Sequence, residues 1–271
     1  MNKLILWTLP LLFLLTAAPA YTDESPERNA SKLLRGLEDL KGKEIKKNDF
    51  QDGMDAYLRR DYKTAFRIFS ALADQGQATA QLQLGELYEF GWGVPQDYTQ
   101  AQKWYRKASE QGEFRASEQL YRMYLKGQGV TKDEGEAQKW ARKANEQKNN
   151  RAFEYYRQKA EQGKAFAQFK LGEMYSKGDG VSQNDAEAVK WYRKAAEQGH
   201  GSAQNNLGVR YSKGLGIPLD YIEAHMWFTI AGAKGLEAGR RNRAAVEQVM
   251  TPEQISEAQQ RARQWQPQPP Q

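Results

Sequence analysis

The sequence predicts an all-α fold, an α/α superhelical solenoid of paired antiparallel helices that is interrupted near residue 150. Three observations predict it. A pattern of small, apolar and aromatic residues recurs at a spacing of 36 residues, and self-similarity at such a period marks stacked supersecondary units. Within each copy the apolar residues stand at helical spacing, bracketed by glycines and helix-capping residues. The composition is 39% apolar and 11% aromatic, with a mean hydropathy of −0.87 over 271 residues. That suits a thin core with much solvated surface, as a quasi-one-dimensional stack requires.

From the N-terminus, residues 1–20 combine Lys3, an apolar run from Leu4 to Leu15 and the small-x-small end Ala18-Pro19-Ala20. This is the form of a secretory signal peptide cleaved before Tyr21. Pro10 and the stop at Thr16 leave the run short of the roughly 20 apolar residues that a retained span needs, so no stable membrane span is expected after cleavage. The expected location is therefore periplasmic or secreted. Residues 21–50 form a flexible or weakly helical lead-in, with Leu33, Leu34, Leu37 and Leu40 at helical spacing among mixed charges. Residues 51–79 read as a degenerate first repeat that keeps a second helix through Tyr57, Asp61, Tyr62 and Ala65 but lacks the glycine loop.

Four fuller copies follow at 80–115, 116–151, 167–202 and 203–238. In the first helix of the first copy, Ala80, Leu84, Leu87 and Tyr88 make the buried stripe of an amphipathic helix. Gly91 should end it in the left-handed conformation, Gly93 should turn the chain, and Val94 should fold under the loop. Asp97 and its counterparts Asp133, Asn184 and Asp220 are all preferred N-caps. The second helix should bury Ala101, Trp104, Tyr105 and Ala108, and Gly112 should end it. Trp104, Trp140, Trp191 and Trp227 fall on one register position.

The second copy departs from the pattern. Tyr121 stands where the others have Gly85, Gly172 and Gly208, so the close helix contact there must open or the phenol must point outward. The third copy starts 51 residues after the second, an excess of 15. Residues 152–166 are a partial repeat in which Tyr155 takes the Trp position. One reading is a single helix extended by about four turns. The other, which we prefer on sequence, is a turn at Lys148–Asn150 followed by an unpaired helix. Residues 239–263 should form a C-terminal capping helix broken at Thr251-Pro252, and 264–271 is a Pro/Gln tail that cannot continue it.

These strings, Ala-x3-Leu-Gly-x2-Tyr-x2-Gly-x-Gly-Val-x2-Asp and Ala-x2-Trp-Tyr-Arg-Lys-Ala-x-Glu-Gln-Gly, resemble those of the Sel-one-like repeat family, relatives of tetratricopeptide proteins. The resemblance implies paired helices lining a groove and, for bacterial members, adaptor roles in envelope assembly, signalling or host interaction. Some secreted, cysteine-rich relatives are linked to penicillin binding and β-lactam hydrolysis. Those depend on a disulfide in each repeat, and this chain has no cysteine.

No catalytic constellation emerges from the residues. His200 and His225 lack ligand spacing, which favours capping or surface roles over metal binding. Each Gly-x-Gly follows a helix rather than a strand, the wrong setting for a phosphate cradle. The net charge of +6 is spread among Glu and Gln rather than clustered, so a nucleic-acid partner is not expected. No cofactor or metal is expected. The chain reads as a non-enzymatic scaffold for a protein or peptide partner, with β-lactam chemistry and cell-wall association as alternatives. Exposed Trp92 and Trp265 are the hints for the last. Counted from each repeat alanine, the fourth, seventh and eleventh residues should share the groove face. Arg122, Lys126, Lys170, Lys177 and Lys213 give that face a cationic stripe, and Phe90 with nearby Trp92 gives it aromatic anchors.

Overall fold

The computed structural model describes residues 49–269. The expectations for residues 1–20 and for most of the lead-in lie outside the described residues. Twelve helices follow one another: α1 (Asp49–Leu58), α2 (Tyr62–Asp74), α3 (Ala78–Phe90), α4 (Tyr98–Glu110), α5 (Phe114–Lys126), α6 (Glu134–Glu161), α7 (Ala165–Lys177), α8 (Asp185–Glu197), α9 (Gly201–Lys213), α10 (Tyr221–Ala233), α11 (Glu237–Glu247) and α12 (Pro252–Gln264). Each helix from α2 to α10 packs on the one before and the one after it, α11 packs on α10, and α12 folds back onto α10. Odd-numbered helices are the first of each pair and even-numbered helices the second. The degenerate repeat opens at Asp49 with a first helix of its own, two residues ahead of the expected start at 51.

Local chemistry sets the helix ends. Gly91, Gly127, Gly178 and Gly214 cap α3, α5, α7 and α9 in the left-handed region, where an L side chain is disfavoured. Asp61, Asp97, Asp133, Asn184 and Asp220 accept hydrogen bonds from backbone N–H groups at the starts of α2, α4, α6, α8 and α10. The loop plug falls where expected: Val94, Val130, Val181 and Ile217 pack, half-buried, against the core.

The second loop glycine does more than turn the chain. A Cβ on Gly93 would lie 2.3 Å from the carbonyl oxygen of Tyr62, the first residue of the preceding second helix. Gly129 meets Tyr98, and Gly216 meets Asp185, in the same way. Each loop therefore rests backbone to backbone on the start of the previous repeat's second helix.

Between repeats runs a ladder of buried glutamines. Gln81, Gln168 and Gln204 each donate from Nε2 to a carbonyl at the C-terminal end of the preceding second helix, Ala73, Ala160 and Ala196. Each of these oxygens also accepts the N–H of the turn glycine that follows the helix, Gly76, Gly163 or Gly199, so the glutamine adds a second bond to a carbonyl at a helix end. Gln111 and Gln198 in turn donate to the Oε1 of Gln81 and Gln168. In the second repeat, Ser117 replaces the glutamine and bonds Ser109 at 2.6 Å and Gln147 at 2.7 Å. In the fourth, Lys234 stands in the last rung and donates instead to the carbonyl of Gly199, leaving Gln204 Oε1 buried without a partner.

Around residue 150 the structure corrects the preferred reading. The helix α6 runs unbroken for 28 residues, with no turn at Lys148–Asn150. No glycine or proline stands between Gly135 and Gly163, and each asparagine costs a helix only a few tenths of a kcal/mol relative to alanine. A turn would forfeit several main-chain hydrogen bonds. Gly180 fixes the register: its Cβ would meet the carbonyl of Asn149 at 2.3 Å, so Asn149 stands where a second helix begins. α6 is therefore two second helices fused end to end, 15 residues apart, with no first helix between them. That offset moves the stack by roughly 22 Å along the helix axis and 60° around it.

A candidate partner-binding face on the first helices

Three of the four first helices of the fuller copies give the residues counted onto one face the same exposure pattern. In α3, Gln83 and Glu86 are half-buried and Phe90 is exposed; in α7, Lys170 and Glu173 are half-buried and Lys177 is exposed; in α9, Asn206 and Val209 are half-buried and Lys213 is exposed. α5 presents half-buried Gln119 with exposed Arg122 and Lys126. Lys126, Lys177 and Lys213 each precede the capping glycine, where a cation also complements the helix dipole.

The face is electrically uneven. On α7, Lys170 bonds Glu173 at 2.8 Å, and Lys177 lies 3.9 Å from the same carboxylate. That hydrogen bond from Lys170 raises the pKa of its ammonium above the usual lysine value. At the N-terminal end Glu86 and Glu89 sit among Tyr57 and Tyr105. Tyr105 donates to Glu89 Oε2 at 2.5 Å, and burial followed by the Glu89 charge raises the pKa of its phenol. Burial, then the Glu89 charge, pushes Glu86 up to about 7, against the pull of Arg115 and Arg122.

This gives a pH test. A carboxyl whose folded value lies above its unfolded one weakens the fold as pH rises between the two and leaves it unpenalised below both. Glu86→Gln should therefore raise Tm at pH 8 by roughly 2–4 °C, the equivalent of about 1 kcal/mol in a chain of this size, with no gain at pH 4. Thermal melts at the two pH values check it.

The aromatic anchors are less free than their sequence position implies. Phe90 is 49% exposed. Trp92 is half-buried, stacked between Phe90 (centroids 4.7 Å) and Tyr62 (5.0 Å), with Tyr57 edge-on. Trp265 is half-buried against Trp227 at 6.0 Å, under the ammonium of Lys234, while the tail continues to a hydrogen bond from Gln268 N–H to the carbonyl of Glu197. Both tryptophans are occupied by packing. Sequence reasoning missed two exposed aromatics, Tyr155 and Phe166, each 56% exposed and both in contact with Tyr156. The signal was present in Tyr155 at the tryptophan position of a copy that has no first helix.

Of the two histidines, His200 caps α9 by accepting from Ala203 N–H. His225 is not at the surface: it is fully buried and bonds Glu247 at 2.9 Å, tying α11 to α10. Among the described residues no group of three or more His, Cys, Asp or Glu could hold a metal ion, and no helix is long and apolar enough to cross a membrane.

A family model for the Sel1 repeat matches residues 50–77, 78–113, 114–149, 146–164, 165–200 and 201–236. The chain belongs to the Sel1 repeat family. Its fourth match, 146–164, begins near the middle of α6 and runs through the turn that ends it. Among solved structures the chain is similar to c5321, a protective antigen of uropathogenic Escherichia coli with an SLR fold, at 28% identity and TM-score 0.43, covering 89% of this chain. The chain spans 63% of that protein's length. A Sel1 repeat protein from Oxalobacter formigenes is 29% identical, with 83% of this chain and all of that one covered and a TM-score of 0.35. No curated protein matches. Sel1 repeat chains are helical scaffolds, commonly protein-binding and typically non-catalytic, and the twelve described helices give this chain the helical repeat architecture.

Proposed function

We propose that the chain is an exported, non-enzymatic adaptor that captures a protein or peptide partner on the face of its first helices, in the bacterial envelope. The observation that carries the proposal is three exposed lysines, Lys126, Lys177 and Lys213, at one register of α5, α7 and α9. Lys177 and Lys213 stand one repeat apart and Lys126 stands across the step in α6; like charges so placed suit an extended or helical partner with acidic residues, since complementary charge across an interface sets register and on-rate.

The test is a pull-down from envelope extract with the wild-type chain and with K126E/K177E/K213E. Partner recovery should fall at least about tenfold, on a par with losing roughly 1.4 kcal/mol of binding. The dipole contribution at three helix ends, about 0.3–1 kcal/mol each, should lower Tm without unfolding the chain. Unchanged recovery would remove the proposal. Export rests on residues 1–20, and N-terminal sequencing of the mature protein should begin at Tyr21.

A further inference from the structure

In a regular stretch of this stack, one side of each second helix is covered by the next first helix. On α4 that side is Gln102, Tyr105 and Ser109: Ser109 bonds Ser117 of α5, Gln102 approaches Tyr124 of α5, and Tyr105 packs with Ala116 and Leu120. On α8 it is Val189, Tyr192 and Ala196, all buried with Ala203 and Leu207 of α9. On the second half of α6 it is Phe153, Tyr156 and Ala160, packed with Ala167 and Leu171 of α7. On the first half of α6 the same three positions are Gln138, Ala141 and Asn145. Gln138 and Asn145 are exposed, and Ala141 is half-buried. Because the fused helix carries α7 fifteen residues further along, the place beside the first half of α6 holds no helix among the described residues.

A recess is present there. Glu118, Tyr121 and Arg122 of α5 meet Ala141, Ala144 and Asn145 of α6 around a hollow of about 260 Å³. It opens because Ala141 stands where Tyr105 and Tyr192 fill the neighbouring repeats. Leu125 is 39% exposed one turn along α5 from Tyr121. The lining holds one exposed cation, Arg122, which directs a hydrogen bond to Gln119 of its own helix, and one acid, Glu118; two further exposed cations stand one turn beyond the lining, Lys126 four residues past Arg122 on α5 and Lys148 three residues past Asn145 on α6. Charge also ties the incoming helix to the preceding pair elsewhere, as Arg210 of α9 bonds both Asp185 and Ser176.

We propose that this vacant place is a docking site for one amphipathic helix of a partner protein, acidic on its polar side, which sets a small apolar stripe on Ala141 and Tyr121 and its carboxylates among Arg122, Lys126 and Lys148. The site deepens the adaptor reading and rests on it: it places the point of capture at the step in the stack. A first helix in this chain is 13 residues long, about 20 Å, which sets the length of the docked segment.

The probe is a fluorescein-labelled, hydrocarbon-stapled peptide with the sequence of residues 78–90, an Ala/Leu-faced first helix whose only charges are Glu86 and Glu89. It should bind the full mature chain saturably in fluorescence anisotropy. Ala141→Trp, which fills the hollow, and Asn145→Glu, which adds a negative charge at an exposed lining position, should each weaken it at least about fivefold, the scale that separates a contributing interface residue from a near-neutral one. The same peptide with both glutamates changed to lysine should bind correspondingly less. Absence of binding, or binding indifferent to both variants, would overturn the site. A concentration-dependent dimer abolished by Ala141→Trp would also overturn it, by assigning the place to a second copy. If the envelope partner is lost with K177E/K213E and retained with Ala141→Trp, the adaptor reading stands and the docking site falls.

Discussion

Replacing Asn149 by proline should destabilise the chain by about 3 kcal/mol or more, because proline inside a helix removes an N–H and its ring strikes the carbonyl four residues back. Asn149 lies at the middle of α6, and its carbonyl is the surface on which Gly180 rests. At roughly 2–4 °C per kcal/mol for a chain of this length, Tm should fall by at least about 6 °C. Calorimetry should also resolve two transitions, since α6 is the element through which α1–α5 and α7–α12 are joined. Asn149→Ala should leave one transition and an unchanged or slightly raised Tm. A proline variant that melts like the wild type would mean that the chain turns at 148–150 after all.

That helix shows where sequence reading reached its limit. The caps, the loop glycines, the valine plug and the buried Ala-Leu-Trp-Tyr stripe were legible because each is a local requirement repeated several times. The 15-residue excess was legible as a number but not as a shape. Asn-Asn occurs at turns and is also tolerated within helices at small cost. What decides between them is the docking of Gly180 on Asn149 and of α7 on Phe153 and Ala160, contacts that span tens of residues and leave no local trace. The first helix of the degenerate repeat, Asp49–Leu58, was hidden for a similar reason. Its burial of Gly53 and Ala56 against α2 uses small residues, which carry little periodic signal.

Counting along the repeat yields the candidate face as a set of positions and not as a surface. It gives the register of Lys126, Lys177 and Lys213, but it cannot show that Glu173 draws both Lys170 and Lys177, or that Phe90 and Tyr62 sandwich Trp92. The vacant place beside α6 was equally out of reach. Gln138 and Asn145 look like ordinary solvated positions until their counterparts Val189 and Ala196 are seen buried at 4% and 0% exposure.

Moving a tyrosine from the second helix to the first in the third repeat should be far less costly than its two halves. In the first, third and fourth repeats a first-helix glycine meets a ring on the second helix: Gly85 with Tyr105, Gly172 with Tyr192, Gly208 with Phe228, each Cβ position falling within 2.5–2.7 Å of a ring atom. In the second repeat the same two places hold Tyr121 and Ala141, so the large and small partners have changed sides. Gly172→Tyr alone drives a phenol into an occupied space, and overpacking of this kind costs about 1–3 kcal/mol or more. Tyr192→Ala alone empties a site that is 2% exposed, and aromatic truncations cost about 3–5 kcal/mol. The double variant reproduces the second repeat's arrangement, in which a first-helix ring can cover the space the second helix gives up. Its cost should fall short of the sum by at least about 2 kcal/mol, a coupling typical of residues in direct contact. Urea denaturation of the wild type, both singles and the double measures that coupling. Additive costs would mean that Tyr121 and Ala141 are unrelated substitutions and that the second repeat holds its pair of helices together by other contacts.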